Sequence, residues 1–135
     1  CERTLDMDDL IQAAREAMAK SYSPYSGFQV GAAVRHESGA VYAGCNVENA
    51  AYPQGWCAEA TAIAAMVMAG ERQIREVCVI GPGDALVTPC RGCRQKIREF
   101  AGQETAIHIC GPEGHRRSFT LAELLPESFG PENLR

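Results

Sequence analysis

Residues 75–112, "REVCVIGPGDALVTPCRGCRQKIREFAGQETAIHICGP", decide how the rest of the chain is read. "REVCVIGP" (75–82) and "TAIHICGP" (105–112) are short, nearly all-apolar runs, the pattern of strands covered on both faces. Between them "CRGCRQKIREF" (90–100) reads as a helix, and Pro89 suits its start. Two strands joined through a helix become parallel partners with a right-handed crossover. The chain is therefore placed in the α/β class.

Upstream, "CAEATAIAAMVMAG" (57–70) predicts a helix buried on most sides and closed by Gly70. "FQVGAAVRHE" and "AVYAGCNVE", separated by "SG", predict two strands of a hairpin, a reading that Gly31 and Gly44 weaken. "YSPYSG" (22–27) is turn-rich. Residues 6–20 carry Leu10, Ile11, Ala14 and Met18 at helical spacing, with Asp6 as N-cap, so an amphipathic first helix should cover the sheet. Downstream, His115, Arg116 and Arg117 suggest a turn, and a short strand is possible near Ser118. "SFTLAELLP" ends the ordered pattern, with Thr120 and Glu123 at capping-box positions. The economical architecture is a three-layer αβα domain spanning residues 1–135, with a mixed central sheet of about five strands and helices on both faces. Both cysteine-bearing helices then open at one edge of the sheet, where such folds tend to place ligands.

Composition narrows the function. A chain of 135 residues with 46% hydrophobic and 22% charged residues suits a single globular domain. The longest apolar stretch, residues 60–70, is too short to span a bilayer. A net charge of −4 argues against a broad phosphate-binding face, so neither nucleic acid nor membrane is expected as partner, and a small neutral substrate suits better. The opening "CERTLDMDDL" lacks the basic, apolar, small-residue order of a secretory leader, and the cytoplasm is expected. There, seven cysteines mean thiolate chemistry more readily than a disulfide framework.

Cys90 and Cys93 at i, i+3 share a helical face, so both sulfurs can reach one ion. Cys57 opens the other helix, and the positive ends of two helix dipoles favour thiolates. Three thiolates would hold Zn²⁺, one per subunit, and leave a position for water, the mark of a catalytic site. Glu59, two residues past a ligand, is placed to move the proton of that water. Two other readings stand beside this one. A thioredoxin-like redox pair would leave Cys57 and Glu59 unused. A closed structural zinc needs a fourth ligand from Cys45, Cys78, Cys110 or the three histidines, of which Cys45 is the serious candidate.

"CAE" followed by "PCxxC" resembles the zinc-dependent deaminases, and the three-cysteine form resembles the small homotetrameric cytidine deaminases. "YSPYSGFQVGAAV", "GCNVENAAYPQGWCAEATAI", "PCRGCRQ" and "LLPESFGPENL" look like that family in the same order over nearly the whole chain. The resemblance implies hydrolytic deamination of free cytidine and deoxycytidine in pyrimidine salvage, by a zinc-activated water with Glu59 as proton shuttle. It implies that Asn46 and Glu48 hold the ribose hydroxyls, that Phe28 packs near the pyrimidine, and that Tyr52 shapes the pocket. Phe129 is implied to reach a neighbouring subunit's active site within a homotetramer.

The chain departs from that family at two positions. Arginine usually follows the glutamate and glycine the first cysteine of the pair; here Ala60 and Arg91 stand instead. Zn²⁺ with three thiolates carries net −1 and needs a nearby cation, so Arg91 is expected to balance the charge. Ala60 also resembles the blasticidin S deaminases, which leaves another aminopyrimidine nucleoside as an alternative substrate. A non-catalytic, zinc-stabilised module is the alternative of another class.

Overall fold

A computed structural model describes residues 2–134 of the chain, with the side chains of residues 7–134. The elements are α1 (Glu2–Met18), β1 (Gly31–His36), β2 (Val41–Cys45), α2 (Ala58–Met68), β3 (Ile74–Ile80), α3 (Arg91–Phe100), β4 (Ala106–Gly111), β5 (Gly114–Thr120) and α4 (Leu121–Leu124). Short 3₁₀ turns at Tyr52–Gln54 and Pro131–Leu134 complete the order. The five strands form one sheet in the order β2-β1-β3-β4-β5. Only β3 and β4 run parallel, joined through α3; the other neighbours are antiparallel. The sheet is mixed, as the two apolar runs of residues 75–112 predict.

Strand alternation divides the core between two faces. Ala32, Val34, Val77, Val79, Ile107 and Ile109 point to one side, where α2 and α3 cover them with Ala58, Ala62, Met66 and Ile97. Ala33, Cys78, Ile80 and Cys110 point to the other, under Leu10, Ile11 and Ala14 of α1. Removing side chains the size of Leu10 and Ile11 from water stabilises by roughly 1.5–3 kcal/mol each, enough to hold a helix whose own propensity would not. The three layers of an αβα sandwich result.

Gly31 and Gly44 let a helix approach each face of the sheet closely. A methyl group on Gly31 would lie 2.1 Å from the Ala14 carbonyl oxygen in α1. One on Gly44 would lie 2.2 Å from Thr61 Oγ1 and 2.3 Å from the Ala62 nitrogen in α2. What weakens the strand reading locally is therefore what seats a helix on each face. Gly44→Ala should lower stability by about 1–3 kcal/mol, the usual cost of overpacking, read as a lower urea midpoint. An unchanged midpoint would contradict this seating of α2.

Several expectations need correction. α1 begins at Glu2, so Asp6 lies inside the helix and is not its N-cap; strong helix formers such as Glu2 and Arg3 carry the helix back past it. α2 is not buried on most sides: Ala64, Ala65 and Met68 are exposed. Residues 115–117 are strand rather than turn, because β5 is a seven-residue edge strand whose polar, exposed side chains give no apolar signal. Nor does order end at α4. Arg98 binds Ser128 Oγ at 2.9 Å and the Glu132 carboxylate, and Gln95 Nε2 donates to the Phe129 carbonyl at 2.8 Å, tying the tail to α3. The Thr120–Glu123 capping box is present at the start of α4. Among the described residues no helix is long and apolar enough to cross a membrane.

Candidate metal centre and active site

Cys57 is the N-cap of α2 and Cys90 the N-cap of α3, both with extended backbone, and Cys93 lies in the first turn of α3. Neither N-cap sulfur bonds its own helix, which leaves it free to face the other. The three sulfurs lie within 4.8 Å of one another, and Cys57 Sγ is 3.7 Å from Cys90 Sγ. Tetrahedral zinc with Zn–S bonds of about 2.3 Å would hold sulfurs about 3.8 Å apart, so the trio fits that ion. Cys57 is lowered to about 6, chiefly because the Cys93 thiol donates a hydrogen bond to its thiolate; as donor, Cys93 is pushed up.

No other cysteine or histidine among the described residues joins this cluster. Cys78 and Cys110 face each other across 3.4 Å in the buried layer beneath α1. His108 bonds Glu76 at 2.9 Å and Ser118 at 2.7 Å, His115 bonds Ser118, and His36 pairs with Glu71. Cys45 ends β2, where its carbonyl accepts from Thr61 Oγ1 at 2.8 Å. That bond clamps the first turn of α2 to the sheet.

Glu59 is 4% exposed. Burial, more than any other cause, pushes its carboxyl up to about 7, where it can both take and give a proton near neutrality. Its neighbour on the cavity wall is the segment 46–48, which an antiparallel bridge brings beside Cys57: Val47 N–H donates to the Trp56 carbonyl at 2.9 Å, and Trp56 N–H returns the bond at 2.8 Å. A cavity of about 340 Å³ is lined by Asn46, Glu48 and Tyr52 together with Cys57, Glu59 and Cys90. That volume suits one small ligand.

The diol-reading candidates are held by different means. Asn46 accepts from the Val30 N–H at 2.9 Å and donates to the Phe28 carbonyl at 2.8 Å. Glu48 accepts from the Tyr25 and Ser26 N–H groups at 3.0 and 3.1 Å and from the Ser26 hydroxyl. The hydroxyl bond is the main reason its carboxyl lies below the usual range. Both carboxylate and amide are thus oriented before any ligand arrives.

Besides Cys93, which is fully buried, three expected site residues lie outside this cavity's lining. Phe28 is 44% exposed and meets the site only through its carbonyl, and Phe129 lies beside Gln95 and Glu99 on the tail. Arg91 is exposed at the start of α3 and makes no hydrogen bond or ion pair with another described residue. Two residues that the sequence does not single out do matter. Trp56 lines the cavity beside Cys57, and a large aromatic in a loop directly before a metal ligand was the signal available for it. Arg94 binds the Pro89 carbonyl at 2.7 Å, the Leu124 carbonyl at 2.8 Å and Thr88 Oγ1 at 3.2 Å, and so shapes the loop that delivers Cys90.

Comparison with known proteins points the same way. Residues 6–109 match the family model described as "Cytidine and deoxycytidylate deaminase zinc-binding region". The chain is 38% identical over 130 residues to a cytidine deaminase of Sporosarcina psychrophila, covering 96% of each, and 40% identical over 131 residues to one of Mycobacterium tuberculosis, covering 96% of this chain and 94% of the other. Its structure is similar to that of the cytidine deaminase of Burkholderia pseudomallei, with a TM-score of 0.85 at 38% identity, over 90% of this chain and 98% of that one.

Proposed function

We propose, for a chain that belongs to the cytidine and deoxycytidylate deaminase family, that it hydrolyses free cytidine and deoxycytidine to the uracil nucleosides and ammonia. The observation that carries this reading is the meeting, at one small cavity, of a buried carboxyl able to shuttle protons, two cysteines of a three-sulfur centre and two fixed polar side chains. A zinc ion held by Cys57, Cys90 and Cys93 would supply the Lewis acidity that makes water nucleophilic near neutral pH.

The chain's own residues do the rest. Asn46 and Glu48 bind the sugar hydroxyls, and because bonds within the chain already orient both, little ordering is needed when the sugar docks. Tyr52 and Trp56 wall the cavity against bulk water. As water adds to C4, Glu59 takes its proton and passes it to N3. Glu59 then carries the proton of the new C4 hydroxyl to the departing amino group, which leaves as ammonia.

The same reading makes the protein a cytoplasmic homotetramer of pyrimidine salvage that meets no nucleic acid. Its support is the net charge of −4, the free state of all six described cysteines, and the exposure of Tyr22, Tyr52, Trp56, Met68 and Phe129, a large apolar area for a lone chain. Phe129, out of reach of its own cavity, is then offered to a neighbouring copy's site. Ala60 favours blasticidin S as the second substrate to try.

A panel of cytidine, deoxycytidine and blasticidin S, followed by ammonia release, separates the readings. Turnover of the two cytosine nucleosides is expected. Turnover of blasticidin S alone would replace the substrate, and zinc uptake without any turnover would leave only a zinc-stabilised module.

A further inference from the structure

We propose that Ser118 on β5 is a nucleophile activated by His108 and Glu76, and so a site of covalent modification by small uncharged acyl or phosphonyl electrophiles. Strand alternation puts Glu76 and His108 on the side of the sheet that holds Cys78 and Cys110, and Ser118 pairs directly with His108. That side lies opposite the one that α2 and α3 cover, so the three side chains are no part of the metal centre. A cavity of about 460 Å³ opens on Glu76, His108 and Ser118 together, with Ser118 exposed and His108 buried.

The direction of the hydrogen bonds follows from Glu76. The bond from His108, ahead of the Arg35 charge, holds its carboxyl below the usual range, so it is ionised and can only accept. His108 Nε2, 2.9 Å away, must then carry a proton. In the neutral imidazole this leaves Nδ1 bare, and the Ser118 hydroxyl, 2.7 Å from it, is the donor. The single hydroxyl proton is thereby used, so His115 Nε2, also 2.7 Å from Ser118 Oγ, donates to the oxygen.

Serine, imidazole and carboxylate in this order let a base take the hydroxyl proton as the oxygen attacks. Either ring nitrogen can be that base when the other holds the proton. Ser118 Oγ forms a bond to the carbonyl carbon or phosphorus, its proton passes to His108 Nδ1, and the leaving group departs with the electron pair of its broken bond. Glu76 stabilises the imidazolium that results.

A similar chain elsewhere shows what sets this one apart. On the turn between β1 and β2, Ser38 Oγ lies 2.9 Å from His36 Nδ1, and His36 Nε2 pairs with Glu71 at 2.9 Å. There the Ser38 N–H donates to the same Nδ1 at 3.1 Å, so that lone pair is already taken. Among the described residues, Ser118 is the only partner of His108 Nδ1.

Treating the zinc-loaded protein with a small alkyl fluorophosphonate and mapping the product by peptide mass tests the assignment, with Ser38 as internal control. Fluoride leaves as the phosphonyl group joins the serine oxygen. Ser118 should be labelled about a hundredfold faster than Ser38, the lower end of what a positioned base supplies, and His108→Gln should slow it by a similar factor. Ser118→Ala should lose this label. Absence of label from Ser118, equal rates at Ser118 and Ser38, or an undiminished rate at Ser118 in folded His108→Gln would overturn the proposal.

Discussion

Glu59→Gln should lower kcat for cytidine by about a thousandfold while zinc stays bound, within the range that positioned acid–base groups supply. The amide has nearly the carboxyl's shape, so the cavity is kept, but it cannot accept the water proton or deliver one to nitrogen. Among the described residues Glu59 is the one acidic side chain buried within the cavity wall, and none of them offers a second carboxylate at that depth. Glu48, the other carboxylate of the cavity, is held by Tyr25 and Ser26 and stays ionised. Because the amide is not a ligand, metal content separates this effect from loss of the centre. Loss of both together would mean that Glu59 holds the site's structure rather than its protons.

Cys93→Ser should abolish activity and cut zinc affinity by more than about 100-fold, a larger effect than losing a mere supporting contact, which costs about 10–100-fold. Cys93 is fully buried beneath the first turn of α3, whereas Cys57 and Cys90 are exposed on the cavity side. A serine hydroxyl in its place does not ionise near neutral pH, so a two-sulfur centre remains, and two thiolates grip zinc far less well than three. The variant should also lose the rise in melting temperature that zinc gives the wild type, because an ion that binds only the folded state stabilises it. Unaltered zinc binding by Cys93→Ser would remove the three-sulfur centre from the account.

Local signals carried most of the fold. The apolar runs of β3 and β4 name themselves, and so does the Thr120–Glu123 capping box, because each depends on residues close in sequence. What the sequence conceals depends on distant partners. Gly31 and Gly44 look like weak points of strands until α1 and α2 are seen against them. β5 lacks an apolar run because it is an edge strand, and the tail is ordered by Arg98 and Gln95, thirty or more residues away.

The site divides the same way. "CAE" and "PCRGC" mark Cys57, Glu59, Cys90 and Cys93 by spacing, and the structure gathers them. Asn46, Glu48 and Tyr52 come from the resemblance and line the same cavity, whereas Phe28 and Phe129 do not within one chain. The charge arithmetic is legible in the sequence, since Ala60 leaves a cation to be found.

The central claim is that this cavity hydrolyses cytosine nucleosides through Glu59. The most direct test follows the zinc-loaded chain and its Glu59→Gln variant on cytidine in heavy-oxygen water, with the product read by mass. Wild type should release ammonia and form uridine carrying one solvent oxygen, with the variant slower by about a thousandfold. No uridine from the zinc-loaded wild type, or labelled uridine at the wild-type rate from Glu59→Gln, would contradict it.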